Sequence, residues 1–196
     1  GTTEFQEVLE KPFLDSLACV KAVDMSKVNR IMDIGTGAGF PGVPLKIAFP
    51  HLEACLLDSL KKRVNFLEET FQLLKLENIT AIHGRAEEFA KNKAYRETYD
   101  LCVSRAVSNL ATLSEYCLPY VKIGGFFISY KSGTVQEEVE QAQKAVKILG
   151  GRIQDVVYFQ LPDSEIQRSL VVIEKVKATP GRYPRKAGTP LKEPLS

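Results

Sequence analysis

The amino-acid sequence predicts an α/β fold: a doubly wound, Rossmann-like, seven-stranded and mostly parallel sheet with a C-terminal antiparallel hairpin, led by an N-terminal helix. Three observations carry that expectation. Short apolar runs alternate with amphipathic stretches along most of the chain, the pattern of parallel β-α-β units with helices on both faces. A glycine-rich turn, Gly35 to Gly42, directly follows the first apolar run, and an acid, Asp58, ends the second. The last two apolar runs have no helical stretch between them, so they should pair as an antiparallel hairpin at one sheet edge. The 196 residues, 44% hydrophobic and 26% charged, suit one domain of an ordinary globular chain.

Taken in order, Phe5 to Val23 reads as helix and Val28 to Ile34 as the first strand. Pro44 to Phe49 reads as a short helix stopped by Pro50, and Leu52 to Leu57 as the second strand. Between Lys61 and Leu76, the residues Val64, Leu67, Phe71 and Leu74 recur at spacings of three and four, an apolar helical stripe. Ile79 to Ile82, Tyr99 to Val103 and Gly125 to Tyr130 supply three more strands. Helices are expected over Ala86 to Lys91, Leu110 to Leu118 and Val135 to Leu149, the last with a C-terminal glycine signal at Gly150-Gly151. Ile153 to Gln160 and Ser169 to Val176 form the hairpin, turning near Pro162-Asp163-Ser164. Residues 1–176 are thus expected to form the domain, with 177–196 a basic Pro/Gly-rich tail, part of that domain or flexible.

Charge is uneven. The whole chain carries +2, but Lys177, Arg182, Arg185, Lys186 and Lys192 against Glu193 place +4 in the last twenty residues, leaving −2 elsewhere. That stretch also holds four of the ten prolines, which predicts neither helix nor sheet interior. Its cations suit a nucleic-acid backbone, and a solvated terminus is the competing reading. Cys19, Cys55, Cys102 and Cys117 are isolated from one another and His51 and His83 are the only histidines, so no zinc-ligand spacing exists. Reduced thiols in a cytoplasmic protein are expected. No apolar run approaches the ~18 residues of a membrane span and no leader pattern opens the chain, so neither a membrane nor a secreted class is expected.

In doubly wound sheets, ligands sit outside the carboxyl ends of the strands where the strand order reverses. Glycines there let a ligand approach the main chain, and an acid after the second strand can accept bonds from ribose hydroxyls. Gly37-Ala-Gly39-Phe-Pro-Gly42 matches a dinucleotide pattern, but the strand already ends at Gly35, and Pro41 would remove an N–H that a pyrophosphate needs. The frame Gly35-x-Gly37-x-Gly39 with Asp58 looks like that of the S-adenosylmethionine-dependent methyltransferases, whose fold is the one described above. Further stretches narrow the likeness: Phe13-Leu-Asp-Ser-Leu17, Asp33 through Gly42, Gly84-Arg-Ala-Glu87, Val103-Ser-Arg-Ala-Val107, and Arg182-Tyr-Pro-Arg-Lys-Ala-Gly-Thr-Pro190. Together they resemble the bacterial small-subunit rRNA guanine-N7 methyltransferase family, RsmG or glucose-inhibited division protein B. Pro12 stands where that family tends to have histidine, and its longer helical N-terminus leads us to expect an element missing ahead of Gly1.

The resemblance implies S-adenosyl-L-methionine as cofactor and 16S rRNA or the small ribosomal subunit as partner, with no metal. It places Gly35, Gly37, Gly39 and Phe40 in the cofactor loop, Ala86 and Glu87 near the adenine, and Arg105 at both cofactor and reaction centre. Arg182, Tyr183, Arg185 and Lys186, with Lys131 after the fifth strand, are the RNA-binding candidates. Each has a plain rival: Glu87 could favour its own helix start, Arg105 could be an ion-pair partner, and Asp15 could cap a turn. A small-molecule methyltransferase and a non-catalytic ribosome-binding protein of the same fold remain alternatives at this point.

Overall fold

The computed structural model describes residues 2–196. Helix α1 (Thr2–Leu17) leads, and β1 (Arg30–Ile34) opens the alternation: α2 (Gly42–Ala48), β2 (Glu53–Asp58), α3 (Lys61–Leu73), β3 (Ile79–His83) and α4 (Ala86–Phe89). Then come β4 (Tyr99–Ser104), α5 (Leu110–Cys117), β5 (Val121–Ser132), α6 (Gln136–Ile148), β6 (Gly151–Gln160), β7 (Gln167–Lys175) and α7 (Thr189–Lys192). The described residues form one seven-stranded sheet in the order β3-β2-β1-β4-β5-β7-β6. Strands β1 to β5 pair in parallel, and β7 runs antiparallel between β5 and β6. The order reverses between β1 and β4, so the crevice above their carboxyl ends is where this architecture binds ligands.

Alternation along the central strands builds a core on each face. Met32 and Ile34 of β1 join Cys102, Phe127, Leu113 and Val146 under α5 and α6. Ile31 joins Leu101, Ile128, Leu45 and Leu67 under α2 and α3. Side chains that alternate across a doubly covered sheet are apolar at nearly every position. Within β1, Asp33 is the exception, a carboxylate 1% exposed beside the apolar Met32 and Ile34.

Several expected boundaries shift. The N-terminal helix stops at Leu17, and a 3₁₀ turn over Ala18–Lys21 takes its place. In α3 the stripe holds at Val64, Leu67 and Phe71, but the helix ends at Leu73 and Leu74 is 49% exposed. A left-handed Lys75 follows (φ 52°) and turns the chain before Leu74 can pack inward. The tail was expected to contain no helix, yet Thr189–Lys192 makes one helical turn. Pro190 stands in its first turn, where a missing N–H costs nothing, after Gly188 at φ 86°. All four cysteines are buried free thiols.

Candidate active site

The loop from Gly35 to Gly42 leaves β1 at the reversal point and is pinned at both flanks by a buried carboxylate. Asp33 Oδ2 accepts from Thr36 Oγ1 at 2.7 Å and from the Gly42 N–H at 2.9 Å, tying the loop's two ends together. Asp58 Oδ2 accepts from the Gly37 N–H at 2.9 Å, and its Oδ1 from the Leu60 N–H at 3.0 Å. Leu57 O takes both the Gly35 and Thr36 N–H groups at 2.9 and 3.1 Å. Gly39 lies at φ 100°, and a Cβ there would meet Val43 Cγ2 at 2.7 Å and Leu67 Cδ2 at 2.8 Å, so only glycine fits. Gly37 is also left-handed, but a Cβ on it would meet nothing within 4 Å. The space beside it is open.

The two acids differ in what they leave unsatisfied. Asp33 Oδ1 is buried with no hydrogen-bond partner, and burial raises its carboxyl to about 7 against the bonds from Thr36 and Gly42. Asp58 is 2% exposed; Arg63 reaches its Oδ2 at 3.5 Å. A carboxylate offers about four acceptor positions, two on each oxygen; Oδ2 takes Gly37 and Arg63 and Oδ1 takes Leu60 alone, so capacity for a hydroxyl remains on Oδ1. Across the crevice, Arg105 follows β4 with its guanidinium 5.7 Å from the Phe40 ring centroid, within cation–π range. The Phe13 ring packs edge-on against Phe40 at 5.5 Å. Arg105 also pairs with Asp15 Oδ2 at 3.3 Å. Ser104 Oγ donates to Ile34 O at 2.9 Å and accepts from the Ala106 N–H, which locks the ends of β4 and β1 together. The structure thus brings Gly35, Gly37, Gly39, Phe40, Asp58 and Arg105 to one crevice.

Over residues 1–171 the chain matches the family profile described as GidB, rRNA small subunit methyltransferase G. The chain belongs to this family. Ribosomal RNA small subunit methyltransferase G of Lachnoclostridium phytofermentans is 54% identical over 98% of this chain and 80% of that protein. Its namesake in Clostridium novyi is 51% identical over 98% and 79%. Among solved structures, YcgJ of Bacillus subtilis superposes with a TM-score of 0.62 at 13% identity, over 84% of this chain and 99% of that one. The S-adenosylmethionine-dependent methyltransferase SibL gives 0.61 at 15%, over 84% and 55%. These structural likenesses bear on the fold, and the fold is that of the methyltransferases.

In this member of the small subunit methyltransferase G family, the remaining candidates are held by other contacts. Ala86 opens α4, and its carbonyl accepts from Tyr120 Oη at 2.6 Å. Glu87 is 3% exposed, with Oε1 accepting from the Gly188 N–H at 3.0 Å, so its carboxylate meets the tail. Tail and body are joined elsewhere too: Arg96 donates to the carbonyls of Thr179 and Tyr183 at 2.9 Å. Arg185 grips the fully buried Glu115 through Nε and Nη2, and Thr112 Oγ1 donates to Pro190 O. Tyr183 is therefore buried at 8% exposure, with Arg182 stacked 5.1 Å over it. Arg182 and Lys186 remain exposed. Lys131 is engaged with Ser108 O at 2.6 Å and Glu138 at 2.7 Å.

Sequence reasoning passed over three residues as site members. Asp33 carried a signal, an acid inside the apolar strand Arg-Ile-Met-Asp-Ile, and Thr36 follows it by one turn of the loop. Arg168, which pairs with Asp15 at 3.6 Å, carried none.

Proposed function

We propose that this chain uses S-adenosyl-L-methionine to methylate N7 of a guanine in 16S rRNA, as a cytoplasmic enzyme acting on naked RNA or the small ribosomal subunit. The observation that carries the reading is the glycine loop pinned by Asp33 and Asp58, in a chain whose family is named for this RNA. The cofactor fits the residues present. Open space beside Gly37 accepts main-chain approach, the spare acceptor capacity of Asp58 suits ribose hydroxyls, and the orphaned Oδ1 of Asp33 suits a cationic ligand. Gly35, Gly39 and Phe40 shape the loop, with Ala86 and Glu87 at the adenine side. When bound, the cofactor supplies a methyl group on a positively charged sulfur, open to attack by a lone pair.

Guanine N7 carries an in-plane lone pair and no hydrogen, so no side chain is called on to remove a proton. The chain's contribution is to position both partners and exclude water. Arg105 sits between the loop's Phe40 and the substrate side of the crevice, where its planar fork can hold a base edge or a phosphate without changing charge. Arg182 and Lys186 supply exposed cations for the RNA backbone, while Lys131, paired with Glu138 and Ser108 O, shapes the surface after β5. Tyr183 and Arg185 hold that surface in place by their contacts with the body. Residues 1–176 and the tail work as one domain in this reading, with Gly188 meeting Glu87 at the rim.

The test is to map modified guanines by mass spectrometry in small-subunit rRNA from cells with and without the gene. The purified chain is then supplied with unmodified rRNA and cofactor. One guanine should lose its N7 methyl in the deletion strain and regain it in vitro. An unchanged modification map, or cofactor binding without methyl transfer to rRNA, overturns the reading in favour of a small-molecule or non-catalytic protein.

A further inference from the structure

We propose that the recess between Asp15, Arg105 and Arg168 is the seat of one backbone phosphate of the RNA substrate, filled in the free protein by the Asp15 carboxylate as a stand-in anion. The inference rests on the rRNA reading above and adds to it a specific subsite with its own gatekeeper.

The recess, about 210 Å³, is lined by Asp15, Arg105, Tyr130, Lys131, Ser132 and Arg168. Four separate parts of the chain converge there: α1, the segment after β4, the end of β5 and the start of β7. The register explains the meeting, since Arg168 of β7 is the direct partner of Ser132 on β5. Tyr130 Oη donates to Ser16 O at 2.6 Å, which anchors the end of α1 over the recess. Two guanidinium groups therefore face one carboxylate, at 3.3 Å and 3.6 Å. Neither is well satisfied by it. Arg105 Nη1 and Arg168 Nε are shielded from solvent yet make no hydrogen bond.

Arginine donors that meet a carboxylate only at ion-pair distance, around a small recess, match the paired non-bridging oxygens of a phosphodiester, which bind guanidinium forks as carboxylates do. Asp15 is poised to yield. Burial raises its carboxyl above the usual range, outweighing the pull of both arginines, so the charged form gains when it moves to water. Lys131 is already paired with Glu138 and holds the wall rather than the ligand.

Position argues for the substrate rather than the cofactor. Gly37 and Asp58 lie over β1 and β2, whereas Arg168 lies on β7, beyond β4 and β5 in the sheet order. Arg105 bridges the two sides, touching Phe40 and Asp15. A phosphate held here would sit next to the guanosine presented to the crevice.

The experiment measures small-subunit rRNA affinity against salt for the full chain and for Arg168→Ala, Arg168→Gln and Asp15→Asn, with cofactor affinity by calorimetry as the control. Losing one phosphate contact lowers the salt slope by about 0.7–0.9, and we expect that for both Arg168 variants with about tenfold weaker binding at moderate salt. Asp15→Asn should tighten RNA binding severalfold, because the competing charge is gone. RNA carrying one methylphosphonate beside the target guanosine should bind the wild-type chain about tenfold more weakly, and that penalty should shrink to about threefold in Arg168→Ala, where Arg105 alone still faces the phosphate; a penalty of the same size in both overturns the proposal. Equal slopes in wild type and both Arg168 variants overturn the proposal, as does an Asp15→Asn variant that binds RNA more weakly than wild type. Weakened cofactor binding in the Arg168 variants also overturns it, and assigns the seat to the carboxylate of the cofactor. Should the wild-type chain neither bind nor methylate the rRNA, the functional reading itself fails, whatever the variants do.

Discussion

Replacing Arg185 with alanine strands a charge in the core. Glu115 is fully buried, and Arg185 donates to it from Nε at 3.1 Å and from Nη2 at 2.8 Å. Removing one partner of a buried ion pair costs about 3–5 kcal/mol, because the survivor keeps its desolvation penalty without its counter-charge. Two features place this case at the low end. The Arg185 backbone N–H also reaches Glu115 Oε1 at 2.8 Å and survives the substitution, and the Arg185 side chain is 25% exposed, so water can enter. A loss of about 3 kcal/mol lowers the melting temperature of a chain this size by about 6–12 °C. Circular dichroism melts at neutral pH measure it directly. Adding Glu115→Gln to Arg185→Ala should restore part of the loss, since the stranded group is then neutral. A drop below about 2 °C, or a double variant no more stable than the single, refutes the claim that the tail is clamped by this pair. RNA affinity should fall along with stability, because Arg182 and Lys186 flank the clamp.

Asp58→Ala should weaken S-adenosylmethionine binding by about 1–3 kcal/mol in calorimetry and leave RNA affinity nearly unchanged; undiminished cofactor affinity removes Asp58 from the ribose. For Asp33 the sign follows from burial, which raises its carboxyl from 3.8 to about 7. Between those values the folded chain keeps a proton that the unfolded chain has released, so this group's stabilisation is full below pH 4 and is lost as pH rises to about 7. Denaturant midpoints of wild type and Asp33→Asn, compared at pH 5 and pH 8, should show the variant relatively more stable at pH 8; a constant difference rejects the raised carboxyl. Joint replacement of Arg182 and Lys186 by alanine should lower the salt slope of RNA binding by about 1–2 without moving the melting temperature, and an unchanged slope returns the tail surface to ordinary solvated charge.

The chain's local patterns determined the fold class and the heart of the crevice. Strand and helix periods are written in contiguous residues, and positive φ at Gly35, Gly37 and Gly39 is a property of single positions, so both are legible without knowing what lies nearby. The acid ending β2 was legible for the same reason. Partnership across the fold was not. Arg185 meets Glu115 seventy positions away, and Gly188 meets Glu87 across one hundred and one; nothing around either residue encodes the meeting. Only packing shows that the basic tail spends Arg185 on the buried carboxylate of Glu115, leaving Arg182 and Lys186 as the exposed cations among its four RNA-binding candidates. Likewise the insertion of β7 between β5 and β6 puts Arg168 beside Ser132 and hence against Asp15. Strand order and the pairing of distant charges depend on which surfaces close over which, and that is settled by burial of the whole core rather than by any one segment of the chain.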